Sequence, residues 1–408
     1  MGQSVKLAWR NLWRNKRRTL ITLASVLMAV ILSVAIRSVQ LGAYGNMIKN
    51  AVRFSTGYLQ VHRNGYWKDQ SIDNSMLWSP DAAAALARNH NVSMAIPRLE
   101  SFALASSGLH TKGVAVTGID PVEENRMTGL AGKITAGSYF DSQQGEGALV
   151  GDDLARYLQL QPGDTIVLLG QGYHGSTAAG QYRVRGIFHY PIDQLNGALV
   201  YLESTDAQQL FSAPGRFTSV SLMVKDAGIL DRTRRNLQQQ LGSGYEVMEW
   251  STMNQSLVEE IAGDNAGGMI MLGILYLVVA FGVFGTILMM TMERIREFSV
   301  MVAIGMHRSR LTLVLIFETV FIGLMGIVSG SLLILPVIIY LHEHPIRITG
   351  EGAAVYQQFG IEPLLPTALD PSIFLFQGIT VLAIALVSVV YPLWLVNRFP
   401  LAATLKQT

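Results

Sequence analysis

The chain has no cysteine. Disulfides and thiolate metal sites are therefore excluded, and the redox compartment stays open. Charge is scarce too. Asp, Glu, Lys and Arg make up 15% of the 408 residues, against about 25% in an ordinary soluble domain. The net charge of +2 gives no reason to expect a nucleic-acid partner. No G-x-x-x-x-G-K-[ST] phosphate loop occurs, which excludes ATP binding by that route. No G-x-S-x-G elbow occurs either. The eight histidines are scattered. His342 and His344 flank Glu343, but three neighbouring loop residues read as solvated, so no metal site is expected. No carboxylate pairing suggests catalysis. The chain reads as a non-catalytic protein with no cofactor of its own.

What remains is apolar. Hydrophobic residues make up 50% of the chain, and the mean hydropathy is +0.32. Four runs approach or exceed the roughly 20 residues that a bilayer crossing needs. They are Leu20 to Ile36 (extended by Val39 to Tyr44), Met269 to Met292, Leu311 to Leu341 and Ile373 to Val396. Pro336 inside the third implies a tilt, a kink or an emergent end. The first run has a second reading as a signal peptide, with small residues at Ser33-Val34-Ala35. The long basic region ahead of it favours a span.

Lys and Arg near the spans set the orientation. Lys6, Arg10, Arg14, Lys16, Arg17 and Arg18 precede the first span, and Arg294, Arg296, Arg308 and Arg310 lie between the second and third. The 342–372 loop has only Arg347 against Glu343, Glu351, Glu362 and Asp370. The expected order is a cytoplasmic basic amphipathic helix at 1–19, spans at 20–44, 268–292, 311–341 and 373–397, and an extracytoplasmic domain at 45–267 with a stalk at 251–267. A cytoplasmic segment at 293–310, an extracytoplasmic loop at 342–372 and a cytoplasmic tail at 398–408 complete it. The fold class is a membrane protein with one N-terminal and three C-terminal transmembrane helices around a large α+β domain. Strand character falls at 57–63, 112–119, 147–151, 165–169, 181–188, 197–202, 217–225 and 245–249. Helical character falls at 80–89, 152–160, 204–212 and 226–241.

Several features look mechanical. VKLAWRNLWRNKRR, residues 5–18, reads as an interfacial helix with Trp9 and Trp13 at headgroup depth, or as a plain basic flank. Gly323, Gly326 and Gly330 include a G-x-x-x-G, which lets helix backbones approach closely or adds flexibility. Glu318 is the one acid within the third span. It has a direct transport role, snorkels, or pairs with Arg308 or Arg310. Arg37 is expected to snorkel. Residues 289–310 form a charge-flanked amphipathic segment. It should bury Phe298, Val300, Met301 and Ile304 and present Glu293, Arg294, Arg296 and Glu297 to a partner, unless it is a re-entrant helix with none.

GTILMMTMERIREFSVMVAIGMHRSRLTLVLIFETVFIGLMGIVSG, residues 285–330, resembles the core of the FtsX/MacB-type ABC transporter permeases. So do LAWRNLWRNKRRT near the N-terminus, GALVGDDLARYLQLQPGDTIVLL (147–169) with YRVRGIF (182–188), which resemble a MacB-like periplasmic domain, and the closing PLAATLK. Ser299 departs from the usual glycine. The layout is nearest to lipoprotein-releasing permeases of the LolC/LolE type, which lack a fused ATPase domain.

The resemblance implies a bacterial inner-membrane subunit working by mechanotransmission. It would couple hydrolysis of ATP-Mg on a separate ATPase dimer to extraction of a lipoprotein or other lipidic substrate from the outer leaflet. An FtsX-like regulator of cell-wall hydrolases and a MacB-like drug or peptide exporter remain alternatives. The implied partners are the ATPase, a second permease chain (identical or homologous), membrane lipids and a periplasmic carrier or accessory protein. The implied coupling residues are Glu293, Arg294, Arg296, Glu297, Phe298, Met301 and Gly305. A lipidic substrate needs an apolar access path, expected at Val39, Leu41, Tyr44, Met47 and Ile48 on the first span and Met269, Met271, Leu272 and Leu275 on the second. Plain helix packing is the alternative reading of those nine.

Overall fold

A computed structural model of the chain describes residues 2–14, 16–140, 147–350 and 364–398. The closing PLAATLK motif and most of the 398–408 tail lie outside these residues, as does the middle of the 342–372 loop. Two compact units are present. Among the described residues, one falls within 46–259, and the other takes those of 2–45, 260–348 and 364–398.

The first unit is the α+β domain. Its strands are β1 (Leu59–Arg63), β2 (Met76–Leu77), β3 (Val92–Ser107), β4 (His110–Ile119), β5 (Ile134–Gly137), β6 (Ala148–Gly151), β7 (Thr165–Gln171), β8 (Thr177–Phe188), β9 (Leu199–Glu203), β10 (Arg216–Phe217), β11 (Ser219–Val224) and β12 (Tyr245–Glu249). Ten of them form one sheet in the order β12-β1-β11-β3-β4-β9-β6-β8-β5, with β7 bridging β3 and β8. The long β3 joins two halves. Val92 to Arg98 pair with β11, and Leu99 to Ser107 pair with β4.

Sequence reasoning missed β3, because Pro97 argues against a central strand. Pro97 pairs with Val220, two residues before pairing to β4 begins at Leu99. There β3 has one neighbour, so the absent N–H is tolerated. Each half carries its own core. Leu59, Val61, Val220 and Leu222 pack with Leu86, Leu230 and Leu237 from two helices. Leu99, Val116, Val150, Ile166 and Val200 pack with Leu154 and Leu158. Helix starts follow local chemistry. Ser79 Oγ accepts from the Ala82 N–H at 3.1 Å, and Asp120 caps Pro121–Thr128 with proline at the first turn.

The second unit is helical. Gly2–Arg14 precedes Lys16–Ala51, and the helices Gln255–Glu293, Ile295–Ala303, Arg308–Glu343, Pro371–Ser388 and Val390–Arg398 follow later. Among the described residues, four candidate spans are long and apolar enough to cross a membrane, one N-terminal and three C-terminal, as the sequence indicated. Trp250–Met253 is a short separate helix, and residues 255–267 run straight into the second span. Gln255–Glu293 is one helix of 39 residues.

The third span is the hub. A Cβ on Gly326 would strike Val26, and one on Gly330 would crowd Val30 and the Leu27 carbonyl of the first span. The glycines therefore serve close approach between these two helices. Gly323 faces the end of the Leu382 side chain on the fourth span. Val26, Val30, Val34, Ile322, Ile334, Val381 and Ala385 fill the space between these helices.

Candidate coupling site

Thr291 to Gly305 form a hinge-like corner between two spans. The second span ends at Glu293, Arg294 breaks the ladder, and Ile295–Ala303 resumes as a short helix. The far end of that helix is closed by glycine. Gly305 has φ +103°. Its N–H bonds Val302 O at 3.0 Å, and the Met306 N–H bonds Met301 O at 3.0 Å. This pair of bonds is the Schellman closure, which favours glycine at the first residue past the cap. Met301 and Met306 both pack on the same small cluster as Phe298, Leu311, Leu315 and Val396.

The short helix buries Phe298 and Ser299, at 2% and 0% exposure. The Ser299 hydroxyl donates back to Ile295 O at 2.8 Å, so the departure from glycine is accommodated inside the helix. Met301 is half-buried. Val300 and Ile304 are 46% and 81% exposed, which corrects the expectation that both would be buried. A helix has only one face against its neighbours. Phe298 and Met301 occupy that face here, leaving Val300 and Ile304 on another.

Arg294 is also corrected. It points into the chain. It is 8% exposed, and its Nη1 lies 3.0 Å from both oxygens of Glu318. Its Nη2 donates to Asn11 O at 3.1 Å. Glu318 therefore pairs with neither Arg308 nor Arg310. Buried in the third span, it sits with Arg294 beside Thr291, Leu315 and Thr319. A buried pair needs such additional bonds to offset its desolvation.

Two further pairs lie more openly. Arg14 donates to Glu297, and Arg18 meets Glu293. Arg296 is exposed. Asn11, Arg14 and Arg18 thus bind the N-terminal stretch to the corner through three contacts of opposite charge or dipole. Ala8 and Leu12 are buried on the same stretch. Trp9 and Trp13 stay about half exposed, with the Trp9 ring 5.6 Å from Phe321 in an edge-to-face contact. Arg308 donates to the Asn397 carbonyl, so the end of the fourth span joins the corner as well.

The access residues do not make a continuous greasy wall. At this end of the first two spans, the Tyr44 hydroxyl donates to Asp264 Oδ2 at 2.6 Å. Arg37 donates to Gln40 Oε1 at 2.8 Å and Asn265 Oδ1 at 2.7 Å, rather than snorkelling freely. Tyr44 and Leu272 are buried. Val39, Leu41, Met47, Ile48 and Leu275 are half-buried. Met269 and Met271 are exposed, at 53% and 59%. Sequence reasoning missed this polar cluster because Asp264 and Asn265 were read as stalk. Their signal was two polar residues directly ahead of an apolar run. His342 Nδ1 lies 2.6 Å from Thr367 O, and no metal-binding group is found among the described residues.

Two family models match the chain. A MacB-like periplasmic core domain covers residues 19–240, and an FtsX-like permease C-terminal region covers 269–401. An uncharacterized ABC transporter permease protein of Mycobacterium tuberculosis is 24% identical over 60% of this chain and 28% of its own length. The lipoprotein-releasing system transmembrane protein LolC of Neisseria meningitidis is 22% identical, over 76% of this chain and 75% of its own. The macrolide export ATP-binding/permease protein MacB of Hyphomonas neptunium is 24% identical, over 81% and 52%. The chain thus spans three quarters of LolC and about half or less of the other two.

Proposed function

The chain belongs to the FtsX/MacB-like ABC transporter permeases, and from that premise we propose that it is a transmembrane subunit working by mechanotransmission. A separate ATPase dimer hydrolyses ATP and moves the corner at 293–310. Two permease chains, identical or homologous, carry that motion through the membrane. The extracytoplasmic domains then help to release a lipoprotein or another lipidic substrate from the outer leaflet of the bacterial inner membrane. Both termini and the corner are cytoplasmic in this reading, by the positive-inside rule.

One observation carries the docking part. Ile304 is 81% exposed at the C-terminal end of a short helix whose other face, at Phe298, packs with Leu311 within the chain. An exposed apolar residue on a segment that also exposes Arg296 and Glu297 suits a protein partner. The alignment with LolC, which runs over three quarters of both chains, supports lipoprotein release. The MacB alignment covers 81% of this chain and supports drug or peptide efflux as the second reading. FtsX-like control of cell-wall hydrolases is the third.

The test uses the chain co-expressed with its cognate ATPase and reconstituted in proteoliposomes. Val300→Asp with Ile304→Asp should abolish stimulation of ATP hydrolysis while insertion is unchanged. Full stimulation in that variant would overturn the docking face. Release of an acylated protein from spheroplasts by the wild-type complex, absent with a neutral drug substrate, separates lipoprotein release from efflux.

A further inference from the structure

The α+β domain encloses a cavity of about 220 Å³. It opens between β1, the turn after it, β3, β4 and β9. Five rings line it: Phe54, Tyr66, Trp67, Phe102 and Tyr201. Phe102 is 65% exposed and stands where the cavity meets solvent. The volume falls below the roughly 300–1,000 Å³ of drug-sized sites, so its occupant is fragment-sized.

Two charged groups line the cavity, Arg98 and Glu100. Arg98 is already committed. Its Nε donates to Glu124 Oε2 at 2.9 Å and its Nη2 to Glu124 Oε1 at 2.7 Å, while Nη1 donates to the Ser55 carbonyl. Glu124 is fully buried. Glu100 accepts from the Ser219 hydroxyl at 3.0 Å. One guanidinium therefore stands against two carboxyl groups, and Glu100 is the one to which it is not bonded. Burial raises the Glu100 pKa, with Arg98 and Ser219 working the other way. His62 sits nearby, stacked on Tyr66 and Trp67 at 5.2 and 5.7 Å. Burial holds it neutral, down to about 4, so it adds no positive charge. Arg53 and Lys133 approach Phe54 at 5.8 Å but line none of the cavity.

We propose that this cavity binds a small organic cation, a protonated amine on a compact apolar body, with Glu100 as counter-ion and Tyr66, Trp67 and Phe102 around the body. A charge-assisted hydrogen bond to Glu100 would complete the pairing that Arg98 leaves undone. Aromatic faces favour a cation over an isosteric neutral group. An anion is disfavoured by Glu100. This site does not depend on the transport reading given above.

The test is calorimetric titration of the full chain, in neutral maltoside micelles, with 2-phenylethylammonium and with the neutral 2-phenylethanol. Saturable one-site binding of the amine is expected, at least tenfold tighter than the alcohol. Glu100→Gln should weaken the amine about tenfold and leave the alcohol unchanged. Ala115→Phe, which fills the cavity without touching a charge, should abolish amine binding. Asp231→Asn, in the same domain but not lining the cavity, should bind as wild type does. Melting temperatures confirm that each variant is folded. Absence of amine binding to the wild type, equal affinity for the alcohol, or retained affinity in Glu100→Gln would each overturn the proposal.

Discussion

Arg294 and Glu318 are 24 residues apart in sequence and meet at 3.0 Å, where the second span ends and the third passes by. The pair is buried on both sides, at 8% and 5% exposure. Neither residue can lose the other cheaply. Arg294→Ala leaves a buried carboxylate alone, which should cost about 3–5 kcal/mol. Arg294→Met with Glu318→Leu removes both charges and should recover most of that loss. Thermal unfolding of the detergent-solubilised chain checks this. A double variant no more stable than Arg294→Ala would show that the pair is not the cause.

The glycines of the third span should be unequal. Gly326→Leu drives a side chain into Val26, and Gly330→Leu drives one into the Leu27 carbonyl and Val30. Each is expected to lose helix packing and resistance to proteolysis. Gly323→Ala meets only the flexible end of Leu382 and should be mild, within about 1 kcal/mol. Equal sensitivity at the three positions would contradict the close approach described.

His62 makes the domain acid-sensitive in a defined window. Its folded pKa is about 4 because burial disfavours the imidazolium, while an unfolded histidine titrates near 6.5. The unfolded chain therefore binds more protons below about pH 6.5, and stability falls as pH drops. The loss should reach about 2 kcal/mol at pH 5 and about 3 kcal/mol near pH 4. His62→Gln should flatten this part of the profile. Melting curves between pH 7 and pH 4.5 on both forms measure it, and identical profiles would sink the assignment.

The polar cluster of the first two spans should resist separation. The phenol of Tyr44 bonds the carboxylate of Asp264 at 2.6 Å. Tyr44→Phe removes that bond, about 1.5–3 kcal/mol for a charged acceptor. Nitroxide labels on cysteines at Val39 and Ala266 should then show a broader distance distribution. The native chain has no cysteine to interfere. An unchanged distribution would mean that apolar packing alone holds these ends.

Access for a lipid substrate is a separate matter. Met269 is exposed, and Leu41 is half-buried. If these residues admit an acyl chain, Leu41→Asp and Met269→Asp should abolish substrate crosslinking while assembly with the ATPase persists. Loss of assembly in both variants would assign them to packing.

Much of the fold was legible because its signals are local. Four apolar runs need only composition, and strands such as Tyr182 to Phe188 show in their alternation. Tertiary choices were harder to read. Pro97 hid the long β3, since a proline is acceptable only where one side of the strand is unpaired. The charges at 293–297 announced a special segment but not their directions. Glu293, Arg294 and Glu297 look alike on paper. Only the position of Glu318 on another helix turns Arg294 inward, while Arg14 and Arg18 engage the other two. For the same reason, the exposure of Ile304 depends on where Phe298 finds its cluster.

The clasp between the N-terminal helix and the corner also has a timetable. Arg14 and its partner Glu297 are 283 residues apart. At about 5–20 residues per second, a ribosome needs roughly 15–60 s to travel from one to the other. Through that interval Arg14 and Arg18 lack the two carboxylates, Glu297 and Glu293, that they meet in the folded chain. The clasp is therefore a late step of assembly, closed only after the whole of the second span has been made.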